Sequence, residues 1–361
     1  MSTESKRNAN IELLRILSMI MITFLHALGK ADLLQSLTTY PSVNVWLAWF
    51  LEALSISAVN IFMLISGYFL IDSQFKISRV LELVFETVFY MVLSLVFAIA
   101  VGIMPLSELN TYTLINTFLP IHMEVYWFIT CYLVIYILQP LISAGVKNMS
   151  VKAFRITIIS LVIYECLFKS FLPFKLTVDE AGYSVTWFLT MFLLGAYMKR
   201  YSFRFLNTAA GGVALYLAGS ILVFTETLII DFVINRYGRF EYIRGIATTY
   251  NHIFPLLASV GIFTAFIYKK TMSPKPGNLI CRLSPMALGV YLLQESLPLR
   301  YEWQKWFSLP GSLNDQVWLF ILKLLSAVLA MYALGTVVDW IRQLLFKLVV
   351  RLIPSKKAAK E

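Results

Sequence analysis

A chain of 361 residues in which 59% are hydrophobic and 14% charged, with a mean hydropathy of +0.75, lies outside the range of soluble domains and reads as an integral membrane protein. About ten spans of roughly 20 residues use more than half of that length, so no soluble catalytic domain remains and any chemistry belongs to the membrane domain. The net charge of +10 does not point to nucleic acid, since there is no soluble basic module to carry such a role.

The expected fold is an all-α, polytopic membrane bundle with spans near 11–29, 44–71, 80–103, 125–144, 154–172, 184–198, 209–230, 249–267, 283–299 and 317–340. Twenty of the 30 Lys and Arg fall on the side shared by both termini, among them Lys6, Lys76, Arg79, Arg204, Lys356, Lys357 and Lys360. Eight fall on the other side, including Lys30, Lys175 and Arg300, while Arg15 and Lys323 sit within spans. That bias places both termini in the cytoplasm of a multi-pass protein of the cell membrane, with the lipid bilayer as its first partner. Residues 1–350 then form the membrane domain and 351–361 a basic tail.

The first span, Asn10 to Gly29 (NIELLRILSMIMITFLHALG), carries Glu12, Arg15 and His26. On a helix Arg15 and His26 lie about 20° apart on one face and about 16 Å apart along the axis, with Glu12 one turn below Arg15. An intramembrane arginine costs at least about 2.5–3.5 kcal/mol, so this stripe is expected to face a wet cavity or protein interior. Glu12 and Arg15 interrupt the apolar run, and no small-residue cleavage site follows, so the segment reads as a permanent span rather than a signal peptide.

In the second span Asn60, Ser66 and Gly67 sit in an otherwise apolar helix, where small or hydroxylated residues permit close helix contact. The turn after it offers Lys76 and Arg79, followed by Glu82 and Glu86. This is either an ion-paired helix start or a cationic lip for an anionic ligand. Tyr126 and Trp127 suit an aromatic belt, or a surface on which a sugar ring stacks. Cys131, Cys166 and Cys281 lack metal-type spacing and read as apolar thiols. The charged stretch 231–248 is a possible rim for a polar substrate, whereas His122 and His252 read as structural. The ninth span delivers Gln294, Glu295 and Ser296 to the level at which His26 ends the first span, so two polar clusters from distant parts of the chain converge there.

These features, namely Arg15, ten residues, then His26, followed by FMLISGYFL, YWFITCYLVIYILQP and LGVYLLQESLPLR in that order, resemble the acyltransferase-3 family of membrane O-acyltransferases along nearly the whole chain. The resemblance implies transfer of an acyl group from cytoplasmic acyl-CoA to a sugar hydroxyl of an extracytoplasmic glycan. It implies His26 as the catalytic histidine, Arg15 as its partner in the motif and Arg79 as the basic start of the third span. The chain departs from the family pattern at Gln294, where histidine is frequent, and in having a single arginine near Arg79 rather than a doubled one.

The residues themselves agree with this. A hydroxyl attacking a thioester needs a base near neutral pKa, which histidine supplies. His26 and Arg15 are therefore the catalytic candidates, and Lys76 and Arg79 the acyl-CoA-binding ones. Glu12, Ser66, Tyr126, Trp127, Gln294 and Glu295 are expected to support the site or contact the acceptor. No metal or bound cofactor is expected; acetyl-CoA, or another acyl-CoA, enters as the donor and a carbohydrate as the acceptor. The rival class is a multi-span glycan transporter, flippase or polymerase, against which stands the lack of a recognisable internal repeat or paired broken helices.

Overall fold

The computed structural model describes residues 7–172, 180–201 and 206–352, and the side chains up to 349. Lys6, Lys175, Arg204, Lys356, Lys357 and Lys360 lie outside the described residues, as does the tail beyond 352. The protein is an all-α membrane bundle. Among the described residues, seven helical segments are long and apolar enough to cross a bilayer: Ala9–Lys30, Val43–Leu70, Ile77–Ala100, Trp127–Asn148, Ala209–Tyr237, Glu241–Ile267 and Val317–Val349. The other three expected spans fall on shorter or interrupted helices. One becomes α-helix Val151–Val162 running into a π-helical turn, Ile163–Leu167; another is the 17-residue Val185–Tyr201; the third is split around a 3-10 turn, Ser284–Met286.

Helix α1 (Ala9–Lys30) lies at the centre. It packs against α2 (Val43–Ser55) and α3 (Ala58–Leu70), which a turn at Ile56 and Ser57 separates. α4 (Ile77–Ala100), α5 (Thr111–Phe118), α6 (Trp127–Asn148), α7 (Val151–Val162), α8 (Val185–Tyr201) and α9 (Ala209–Tyr237) follow. The chain ends with α10 (Ile253–Ile267), α11 (Pro274–Leu283), α12 (Ala287–Gln294) and α13 (Val317–Leu352), all four of which contact α1. Asn8 caps α1 by accepting from the Asn10 backbone N–H, and the Asn10 amide donates to the carbonyls of Lys269 and Lys270 just past α10.

Lipid tails are as apolar as leucine, so close packing rather than hydrophobic exclusion holds helices together in a bilayer. Two contacts use this directly. A Cβ on Gly67 would fall 1.9 Å from the Phe192 carbonyl oxygen, and one on Gly195 would fall 2.2 Å from that of Leu64, so α3 and α8 meet backbone to backbone. Outward-facing Leu217 and Ile221 on α9, and Leu322, Leu325 and Leu329 on α13, are exposed in a way that suits a lipid-facing surface.

A buried ionic cluster ties α4 to α13. Arg342 donates to Asp339 Oδ1 at 2.7 Å and pairs with Glu86 at 3.1 Å, while the Tyr90 hydroxyl and the Gln343 amide donate to Asp339 at 3.0 and 2.7 Å. Glu86 is thus paired across the bundle and not with Arg79 on its own helix. Helical spacing sees only the local partner; the tertiary fold supplies one 256 positions away. The three cysteines are free thiols, Cys131 and Cys166 buried and Cys281 partly so.

Candidate active site

A cavity of about 370 Å³ opens along one face of α1, whose Arg15, Met19, Ile22 and His26 line it at successive turns. This is the stripe that the helical period predicts. Opposite stand Ser66 of α3, Arg79, Glu82 and Glu86 of α4, Trp127, Phe128 and Tyr132 of α6, and Tyr291 of α12. Arg15 and Arg79 both lie within electrostatic reach of the partly buried Tyr132, so the two cations share one half of the cavity. His26 and the aromatic cluster occupy the other.

The imidazole of His26 is held by groups that arrive from α12 and the turn beyond it. Its Nδ1 lies 3.3 Å from Glu295 Oε1, within ion-pair range though not aligned as a hydrogen bond. The same carboxylate oxygen bonds Lys30 Nζ. Arg300 stands 3.8 Å from the other oxygen and donates to the carbonyls of Glu295 and Val125. Two cations and one imidazole therefore surround a single carboxylate. Gln304 donates to the His26 carbonyl at 3.4 Å, and Lys30 lies over the Tyr301 ring. Nδ1 is thus turned toward Glu295 while the ring itself lines the cavity, the placement a general base needs.

Gln294 is fully buried beside His26, yet neither its amide oxygen nor its nitrogen has a formed hydrogen bond. Arg15 Nε is likewise buried and unpartnered. Glu12, expected as its neighbour in charge, instead accepts a hydrogen bond of 2.5 Å from the Ser284 hydroxyl. Ser66 faces the cavity with its own hydroxyl proton donated to the Phe62 carbonyl at 2.8 Å. Lys76 is exposed and stands outside the cavity lining; its backbone N–H donates to the Tyr136 hydroxyl at 3.1 Å.

Tyr126 is fully buried rather than placed in a lipid-facing belt, and its hydroxyl donates to the Leu292 carbonyl at 2.9 Å. Trp127 faces the cavity, stacked on Tyr250 with ring centroids 5.7 Å apart and packed against Tyr183 at 4.3 Å. Of the other histidines, His122 is exposed in a loop. His252 caps α10 and lies 3.4 Å from Glu226. Neither lines the cavity. Sequence reasoning missed Ser284, Tyr132 and Tyr291; only the last had a readable signal, since it precedes Gln294 by three residues and so shares its helix face.

A histidine that lines a cavity along the first helix of a polytopic bundle, with a carboxylate against its ring, is a candidate enzyme site in a membrane protein. The chain belongs to the acyltransferase-3 family: the family model for an acyltransferase domain matches residues 8–339, nearly its whole length. No curated protein and no solved structure matches it.

Proposed function

We propose that the protein is a membrane O-acyltransferase that moves an acyl group, acetyl foremost, from cytoplasmic acyl-CoA to a hydroxyl of an extracytoplasmic cell-surface glycan. One observation carries this reading: a single cavity joins a half with two arginines to a half holding His26 against Glu295. With both termini in the cytoplasm, as the Lys and Arg bias favours, the arginine half faces the cytoplasm and the histidine half the exterior. The phosphates of CoA then bind at Arg79, with Lys76 at the mouth, and the pantetheine arm runs past Arg15. The unpartnered Arg15 guanidinium supports a passing polar carrier, because such a charge is costly to leave alone in a bilayer.

His26 Nε2 takes the proton of the acceptor hydroxyl as its oxygen attacks the thioester carbon. The C–S bond breaks as the tetrahedral intermediate collapses, and the CoA thiolate receives that proton from the imidazolium. Glu295 keeps Nδ1 protonated and stabilises the imidazolium. Gln294, fully buried beside His26 with donors and acceptors to spare, supports the imidazole, and Trp127 offers a face for the acceptor ring. The test is transfer of label from radiolabelled acetyl-CoA to surface glycan in membranes carrying the wild type or His26→Ala at equal protein levels. Label entering glycan with the wild type alone is the expected result; equal labelling with His26→Ala would remove the histidine from the mechanism.

A further inference from the structure

Among the polar groups at the histidine end of the cavity, the Tyr291 hydroxyl is buried, lines the cavity and has no hydrogen-bond partner. Its ring lies 6.2 Å from the His26 ring and 6.1 Å from that of Phe128, centroid to centroid. The Phe128 backbone N–H faces the same hydroxyl without closing a bond to it. That N–H belongs to the first turn of α6, a 22-residue helix whose cap, Tyr126, contributes no side-chain hydrogen bond. The first four N–H groups of a helix have no partner within it and sit at the positive end of its dipole. The hydroxyl proton is thus a buried donor without an acceptor, next to the positive end of a helix and near the base.

Resting on the acyl-transfer reading above, we propose that the Tyr291 Oη–H is the oxyanion donor of the reaction, with the Phe128 N–H turned toward its oxygen and polarising it. When the acceptor oxygen bonds to the thioester carbon, the carbonyl electron pair moves onto oxygen. The Tyr291 hydroxyl stabilises that charge by donating a hydrogen bond to the oxygen, and the pair re-forms the carbonyl as the C–S bond breaks. Tyr291 is then a catalytic residue in its own right, separate from the proton path through His26. Donors fixed in advance where charge develops stabilise the transition state more than the bound thioester.

The test is Tyr291→Phe, which keeps the ring and deletes only the donor. Free thiol released from acetyl-, propionyl- and succinyl-CoA is followed in membranes, so the readout does not depend on knowing the acceptor. With the thioester that the wild type uses fastest, the maximal rate is expected to fall about 10²-fold, with the half-saturating concentration changed by less than about threefold. A maximal rate within about twofold of wild type, or a loss confined to half-saturation, overturns the proposal. A variant that misfolds would show as loss of the monodisperse peak in detergent; Tyr291→Trp, which restores an N–H donor on an aromatic frame, is then expected to exceed Tyr291→Leu in rate, and equal rates overturn the proposal. If the wild type releases no more thiol than His26→Ala from any of the three thioesters, the acyl-transfer reading itself fails, which is a different result from an active wild type matched by Tyr291→Phe.

Discussion

Two of the buried polar clusters in this bundle differ in how completely they are paired. Around Arg342 the pairing is closed: Asp339 accepts from Tyr90, Arg342 and Gln343, and Glu86 holds the remaining face of the guanidinium. Around His26 it is left open, with Gln294, Tyr291 and His26 Nδ1 all lacking a formed hydrogen bond. Buried polar groups cost free energy unless paired, so a closed cluster is explained by the fold alone, while an open one beside a cavity leaves donors and acceptors for a group that arrives. Glu86 borders the cavity yet spends its charge on α13, which marks it as part of the frame.

The sharpest way to break this contrast is to exchange the consequences. His26→Ala is expected to lower transfer by about 10²–10⁴-fold, the span of general-base contributions, while leaving thermal unfolding in detergent nearly unchanged. Arg342→Leu is expected to do the reverse. It strands Glu86 and Asp339 in apolar surroundings and should cost about 3–5 kcal/mol of stability, read as a lowered unfolding temperature, with turnover per folded molecule little altered. If Arg342→Leu instead abolished turnover in well-folded protein, the division into frame and site would be wrong.

Glu295→Gln tests a residue with a foot in both camps, because its carboxylate meets His26, Lys30 and Arg300 together. Loss of the group that orients the imidazole is expected to lower the maximal rate on the order of 10²-fold, and a rate near wild type would show that Lys30 and Arg300 alone place the ring.

The smallest effect belongs outside the spans, at Asp72, in the turn between α3 and α4. A hydrogen bond from Lys199, supported by Arg200, holds its carboxyl below the ordinary carboxylate range. Because the folded value is depressed, the pair stabilises the protein above the ordinary carboxylate value and loses that contribution as pH falls through the lower folded one. The aspartate is half exposed, so solvent screening limits the effect to about 0.5 kcal/mol or less. Asp72→Asn should lower the unfolding temperature slightly at pH 7 and not at all in strong acid; an equal loss at both would assign the residue a role other than its charge.

Much of the site was legible in the first span, because a helix fixes which of its own residues share a face. Arg15 and His26 line one cavity as their spacing requires, and the convergence of Gln294 and Glu295 on His26 followed from counting spans. What could not be read were partners across the bundle. Glu12 turns to Ser284, Glu86 to Arg342 and Tyr126 to a carbonyl on α12, and in each case the local rule named a nearer or more exposed alternative. The interruption of the ninth expected span was equally illegible: 283–299 reads as one apolar run, but Pro285 lies in a 3-10 turn that divides it.

The meeting of Gly67 with Phe192, and of Gly195 with Leu64, sets a limit on how this enzyme can diversify. Side chains on α3 that line the cavity, such as Phe62 and Ser66, are free to change size and so re-tailor its contour. The helix behind them cannot retreat, since it already rests on the peptide planes of α8 with no side chain between them. Descendants of this protein that accept a bulkier acyl chain are therefore expected to carve the extra room out of individual residues, leaving the distance between these two helices as an inherited dimension.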